Sequence, residues 1–156
     1  DTYGSWRRDT VRPVDVVTGC FLLIDRALWS ELGGFDPVFF MYGEEADLCA
    51  RARMLGARPI LTPSATIVHH GGASESSRAE QRIKVLAGRV TLMRRHWRPV
   101  QRIIGYSLYS LLPLIRWTVF KAASLATGNR RTEQAAQQWA YVWKNRKRWI
   151  FGWPGA

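Results

Sequence analysis

Charge changes sign partway along this chain, and no single evenly mixed surface accommodates that division. Residues 1–74 carry seven Arg against nine Asp and Glu, a net of −2; residues 75–156 carry sixteen Lys and Arg against three Glu, a net of +13. Clustered cations repel one another unless counter-charge is near, so the second half predicts a polyanionic neighbour, either an anionic membrane surface or nucleic acid. Six of the eight Trp lie beyond residue 90, interleaved with Arg and apolar residues. That arrangement suits amphipathic rings at headgroup level, although base stacking would use it too. An anionic membrane surface is the expected partner, and nucleic acid is not. With 156 residues the chain can bury one sizeable core, so the expectation is a domain part over residues 1–77 and a basic, Trp-rich helical tail over 78–156.

The first part reads as α/β. Residues 1–14 are a polar, irregular lead-in that ends at Arg12-Pro13, where helix is disfavoured. Val14, Val16 and Val17, continued by Cys20-Phe21-Leu22-Leu23-Ile24, form a β-branched apolar run that predicts a strand covered on both faces. Gly19 within it marks either a close approach by a ligand or backbone, or a simple bulge. Asp25 is placed to cap a short helix over Arg26–Leu32, with Gly33-Gly34 as its stop. Phe39-Phe40-Met41-Tyr42 predicts an aromatic loop packed on the sheet or walling a pocket. A helix follows from Glu44 to Leu55, and then two strands over 58–61 and 65–68, joined through Thr62-Pro63-Ser64. Cys20 and Cys49, apolar-flanked and without Cys-x-x-Cys spacing, read as buried free thiols, which favours a cytosolic face. The start at Asp1 shows no signal peptide, and the chain reads as a segment of something longer.

From Arg78 the pattern is helical, with Ile83, Leu86, Val90 and Met93 near one face. Ile103 to Ile115 is thirteen residues without a charge, short of the ~20 that span a bilayer. An interfacial helix or a hairpin broken near Pro113 is expected there, and a last helix from Thr132 to Trp149.

Reactive side chains concentrate in Glu44-Glu45-Ala46-Asp47 and in His69-His70. On a helix Glu44, Asp47 and Arg51 form a polar stripe, with Asp47 and Arg51 spaced for an ion pair; by pattern alone this stripe is solvated rather than catalytic. Glu45 instead shares its face with Leu48, Cys49, Ala52 and Leu55. A carboxylate leading an apolar face at a helix N-terminus feels desolvation, which favours its neutral form, and the helix dipole, which favours its charged one. That is an environment suited to a general base. His69 and His70, in extended backbone, would point to opposite sides, so only one can face a given site. His96, among arginines, reads as a surface residue.

Thr18-Gly19-Cys20, Leu32-Gly33-Gly34-Phe35-Asp36, Phe39 through Cys49 and Ile67-Val68-His69-His70-Gly71-Gly72, in that order and spacing, resemble the C-terminal part of family 2 glycosyltransferases, rhamnosyltransferase-like members above all. The resemblance covers roughly residues 14–74. It implies the C-terminal half of a GT-A fold, a nucleotide-sugar donor, Mg²⁺ or Mn²⁺, and inversion at the anomeric carbon. It puts the catalytic base on Glu45, where Asp is more usual, with Glu44 beside it. It makes His69 a metal or diphosphate ligand, and gives Gly19, Tyr42, Asp47 and His70 substrate-binding positions. The acceptor implied is a glycan or a lipid-linked hydroxyl, with the enzyme peripheral on the cytoplasmic leaflet in cell-wall polysaccharide synthesis. No Asp-x-Asp occurs in the chain, and the nucleotide-binding half of the fold is not among these residues, so donor binding is expected to need a missing N-terminal half or a partner chain. The alternative is a non-catalytic module whose basic aromatic tail binds anionic membrane or nucleic acid.

Overall fold

The computed structural model describes residues 6–70 and 77–155. They divide into two compact units, one made of residues up to 37 and 43–71, the other of residues 38–42 and 72 onward. The aromatic loop, residues 38–42, belongs with the helical unit.

In the first unit, β1 (Arg12–Pro13) pairs antiparallel with β2 (Ile60–Leu61), Arg12 opposite Leu61 and Pro13 opposite Ile60. The expected strand over 14–24 does not form. A strand covered on both sides needs neighbours for its backbone groups; here the adjacent backbone is Pro59 to Leu61, and the pairing ends with the Val14 amide on the Pro59 carbonyl at 3.0 Å. Val16, Phe21 and Leu23 are left exposed. Residues 65–68 are likewise irregular rather than a strand. The lead-in thus supplies a strand, and the apolar run does not.

Helix α1 (Arg26–Leu32) forms as its caps dictate: the Asp25 carboxylate accepts from the Ala27 and Leu28 amides at 2.8 and 3.0 Å, and Gly33 turns left-handed at φ 69°. Helix α2 (Glu44–Met54) begins after Gly43 at φ 107°, with all three acids in its first turn, where the helix dipole favours negative charge. Residues 14–20 lie along α2 instead of in a sheet: the Val17 amide donates to Cys49 Sγ at 3.5 Å, and Arg53 pairs with Asp15 at 2.5 Å.

The second unit is helical: α3 (Arg78–His96), α4 (Pro99–Thr127) and α5 (Arg130–Lys144), followed by a 3₁₀ turn over Arg146–Arg148. Ser77 caps α3 through the Glu80 amide, and Ile83, Leu86, Val90 and Met93 are buried as their spacing predicts. Ile83 and Leu86 share a core with Trp139, Val142 and Trp149, the last fully buried with its indole N–H on the Val142 carbonyl at 3.0 Å. The aromatic loop packs here rather than on a sheet: Phe39 is buried, Phe40 meets Trp153 edge-on at 5.6 Å, and Gly88 on α3 leaves room for the Tyr42 carbonyl, which any β-carbon there would strike.

Helix α4 runs without a break through Pro113 and is neither a hairpin nor confined to the thirteen uncharged residues. Its 29 residues are long and apolar enough to cross a membrane by length and composition, and only 6% of its most apolar stretch is buried. α5 packs along it, and the helix expected from 132 to 149 ends earlier, at Lys144.

Candidate functional site

The first unit gathers its chemistry at the start of α2. Glu45 projects from the first turn with Oε2 buried and without a hydrogen-bond partner among the described residues. Leaving a buried carboxylate oxygen unpaired costs about 1–3 kcal/mol or more, so such an atom in a native structure asks for an explanation. Gly19 is beside it: a β-carbon there would lie 3.7 Å from the Glu45 β-carbon. The segment carrying Gly19 is a turn, in which the Phe21 amide reaches the Thr18 carbonyl at 3.4 Å and the Thr18 hydroxyl contacts Cys20 Sγ at 2.8 Å. Sequence reasoning places Gly19 and Glu45 far apart in the chain; the structure brings them together.

Asp47 is not on a solvated stripe. It is 2% exposed and accepts from Arg51 Nε at 2.7 Å, while the same guanidinium donates to the Leu32 carbonyl at 2.7 Å and the Gly34 carbonyl at 2.8 Å. One fork therefore ties the C-terminus of α1 to α2 and orients the first turn that carries Glu44 and Glu45. The spacing of Asp47 and Arg51 predicts their pair; nothing in the sequence marks the two carbonyls. Glu44 occupies the first helical position, half-buried.

The cysteines differ from the expectation in one respect. Cys49 is buried and free, whereas Cys20 is free and exposed. Burial pushes the Cys49 thiol above its ordinary value, with the Val17 amide opposing this and the Glu45 charge adding to it.

His69 and His70 follow irregular backbone and are both exposed. Among the described residues no three His, Cys, Asp or Glu side chains converge on a point. Gly71 and Gly72, which follow the histidines, lie outside the described residues. Tyr42 belongs to the helical unit, at φ 65°, its hydroxyl 3.3 Å from Gln81 Nε2.

Comparison with known proteins places part of the chain among sugar transferases. Fifty-nine residues, 38% of the chain, are 41% identical to the N-acetylglucosaminyl-diphospho-decaprenol L-rhamnosyltransferase of Mycobacterium tuberculosis, covering 19% of that protein. Sixty-two residues, 40% of the chain, are 37% identical to the rhamnosyltransferase WbbL of Escherichia coli K12, covering 23% of it. The matched stretch spans about a fifth of the length of these curated relatives. A stretch of this chain is thus related to glycosyltransferases that transfer rhamnose. No family model and no solved structure matches.

Proposed function

We propose that the first unit is the acceptor-side, catalytic part of an inverting family 2 glycosyltransferase with a GT-A fold, which transfers a hexosyl or rhamnosyl group from a nucleotide-sugar to a hydroxyl of a glycan or lipid-linked acceptor. The observation that carries this reading is the buried Oε2 of Glu45, without a hydrogen-bond partner among the described residues, beside the Gly19 turn. In the reaction, the Glu45 carboxylate takes the proton of the acceptor hydroxyl, whose oxygen bonds to the anomeric carbon from the face opposite the leaving group. The bond from that carbon to the donor's diphosphate breaks, and the nucleoside diphosphate leaves with the electron pair. Glu44 lies in the same helical turn, and Gly19, in the turn beside Glu45, is proposed to bind substrate. Asp47, through Arg51, holds the turn in place. Tyr42 and His70 are proposed to bind substrate, and His69 to offer one nitrogen to the diphosphate or its cation.

Val16, Phe21 and Leu23, exposed in a stretch with strand composition, support the view that the donor-binding half of the fold is supplied by a further segment or a partner chain. The free cysteines and the basic helical unit support a peripheral position on the cytoplasmic leaflet. The test is transfer by the chain completed with a donor-binding half. Glu45→Gln keeps the shape and removes the base, and the rate is expected to fall by about 10²–10⁴-fold. Undiminished transfer by this variant would sink the assignment. A second reading, a membrane-binding module without catalysis, is favoured by the uncovered apolar face of α4, and complete absence of transfer from the completed wild-type chain would select it.

A further inference from the structure

A cavity of about 320 Å³ opens at the N-terminal end of α4, lined by Arg94, Arg102, Ile103, Tyr106, Ser107 and Phe151. We infer that it binds the phosphate of an anionic membrane lipid while α4 lies in the plane of the bilayer surface. This deepens the peripheral, membrane-facing reading above and rests on it.

The argument begins with the helix. Val100, Ile104, Leu108, Leu111, Ile115 and Val119 recur at helical spacing and are all exposed, Leu108 by 66%. Arg102 and Arg116 fall on the other side, and Arg116 lies over the Trp139 ring at 5.1 Å, directed toward the protein. The apolar stripe is therefore free of the charges that interrupt it in sequence. Exposed apolar area of this extent marks a surface that something covers.

The packing of α4 chooses between crossing and lying flat. α5 runs along it and exposes Arg131, Glu133, Gln134 and Gln137. A crossing α4 would carry those groups into hydrocarbon, where each charge is costly. In-plane insertion buries the stripe and leaves α5 in water.

The cavity sits at the N-terminal end of α4, beside the stripe rather than on it, and two arginines are among its lining residues. Arg94 and Arg102 line it together with Tyr106 and Ser107, and Ile103 and Phe151 add apolar surface. Arg94 is set by its donation to the Phe151 carbonyl at 2.6 Å, and Arg102 by a long 3.5 Å contact to the Arg94 carbonyl. Arg94, Arg95, Arg98 and Arg102 stand within nine residues that include no acid, so the complementary ligand is an anion. Trp97 packs on Gly105 in the same region, an interfacial aromatic beside a basic cluster. A phosphodiester that carries acyl chains satisfies the cavity and the stripe together; a soluble phosphate satisfies only the first.

The test measures binding of the 156-residue chain to phosphatidylcholine vesicles with and without phosphatidylglycerol, with no donor, acceptor or transfer step involved. Binding should be tighter with phosphatidylglycerol, and Arg94→Gln with Arg102→Gln together should weaken it by about thirtyfold. Each single change should lose most of that, because both arginines grip one phosphate. Arg102→Glu, at an exposed position that tolerates change, repeats the loss if Arg94→Gln disturbs the fold. The charge-matched pair Arg146→Gln with Lys147→Gln should lose less than a third as much. Leu108→Gln with Leu111→Gln should weaken binding to both vesicle types. Equal losses in the two arginine and lysine pairs, or wild-type binding by the cavity variant, overturns the site. Calorimetric binding of inorganic phosphate as tight as the vesicle binding overturns the lipid assignment. None of these outcomes depends on Glu45, whose test is transfer alone.

Discussion

Replacing Asp47 by Asn should loosen the start of α2 without touching a reacting atom. The substitution keeps size and shape and removes the charge that Arg51 Nε meets at 2.7 Å. A hydrogen bond to a charged group contributes about 1.5–3 kcal/mol, and removing one partner of a fully buried pair costs about 3–5 kcal/mol. Asp47 is 3% exposed at its side chain but Arg51 is 21% exposed and keeps the Leu32 and Gly34 carbonyls, so the cost belongs near the lower range, about 2–3 kcal/mol. The assay is amide hydrogen exchange at Gly33 and Gly34, whose N–H groups bond the Ser30 and Trp29 carbonyls at 3.2 and 3.1 Å. Those amides exchange through opening of the joint between α1 and α2, so they should exchange about 30- to 160-fold faster in the variant. Arg51→Gln should accelerate the same amides, and the double variant should cost less than the two single costs combined, because the pair is one interaction. Wild-type exchange at Gly33 and Gly34 in Asp47→Asn, or strict additivity in the double variant, refutes the structural role.

Other expectations are as specific. Gly88→Ala should lower the thermal stability of the helical unit by about 1–3 kcal/mol, since a β-carbon strikes the Tyr42 carbonyl; unchanged melting followed by circular dichroism contradicts that close approach. Cys20, exposed, should react quickly with a thiol reagent, and Cys49, buried and with its thiol pushed up, only on unfolding; two equally fast thiols would refute the burial. Glu80 is held below its ordinary 4.5 chiefly by the Arg148 hydrogen bonds, then by the Tyr141 hydroxyl. A lowered carboxylate value means stability that is present above the unfolded value and is lost as pH falls through the folded one. Wild type should therefore exceed Arg148→Gln in stability at neutral pH, and the two should converge in acid; a constant gap across that range disproves the coupling.

Local signals in this sequence translate directly into structure where a few neighbouring residues decide the outcome. Asp25 and Gly33 bracket α1 because each satisfies backbone groups within its own turn, and the spacing of Ile83, Leu86, Val90 and Met93 fixes the buried face of α3 because a helix supplies its own hydrogen bonds. Strands carry no such guarantee. The run from Val14 to Ile24 has strand composition, yet a strand exists only when another backbone accepts its ladder, and in this chain Ile60 and Leu61 serve Arg12 and Pro13 instead. The same distinction governs the site. Glu45 stands out in sequence because it leads an apolar helical face, and the pair of Asp47 with Arg51 follows from i, i+4 spacing. The approach of Gly19 to Glu45, the hold of Arg51 on two carbonyls and the cavity between Arg94 and Arg102 arise from how separate elements pack. Charge pattern raises the expectation of an anionic partner for the tail, and packing shows Arg116 turned from the apolar stripe toward the Trp139 ring. A run of thirteen uncharged residues thus becomes part of an exposed apolar face from Val100 to Val119, within a single helix of 29 residues.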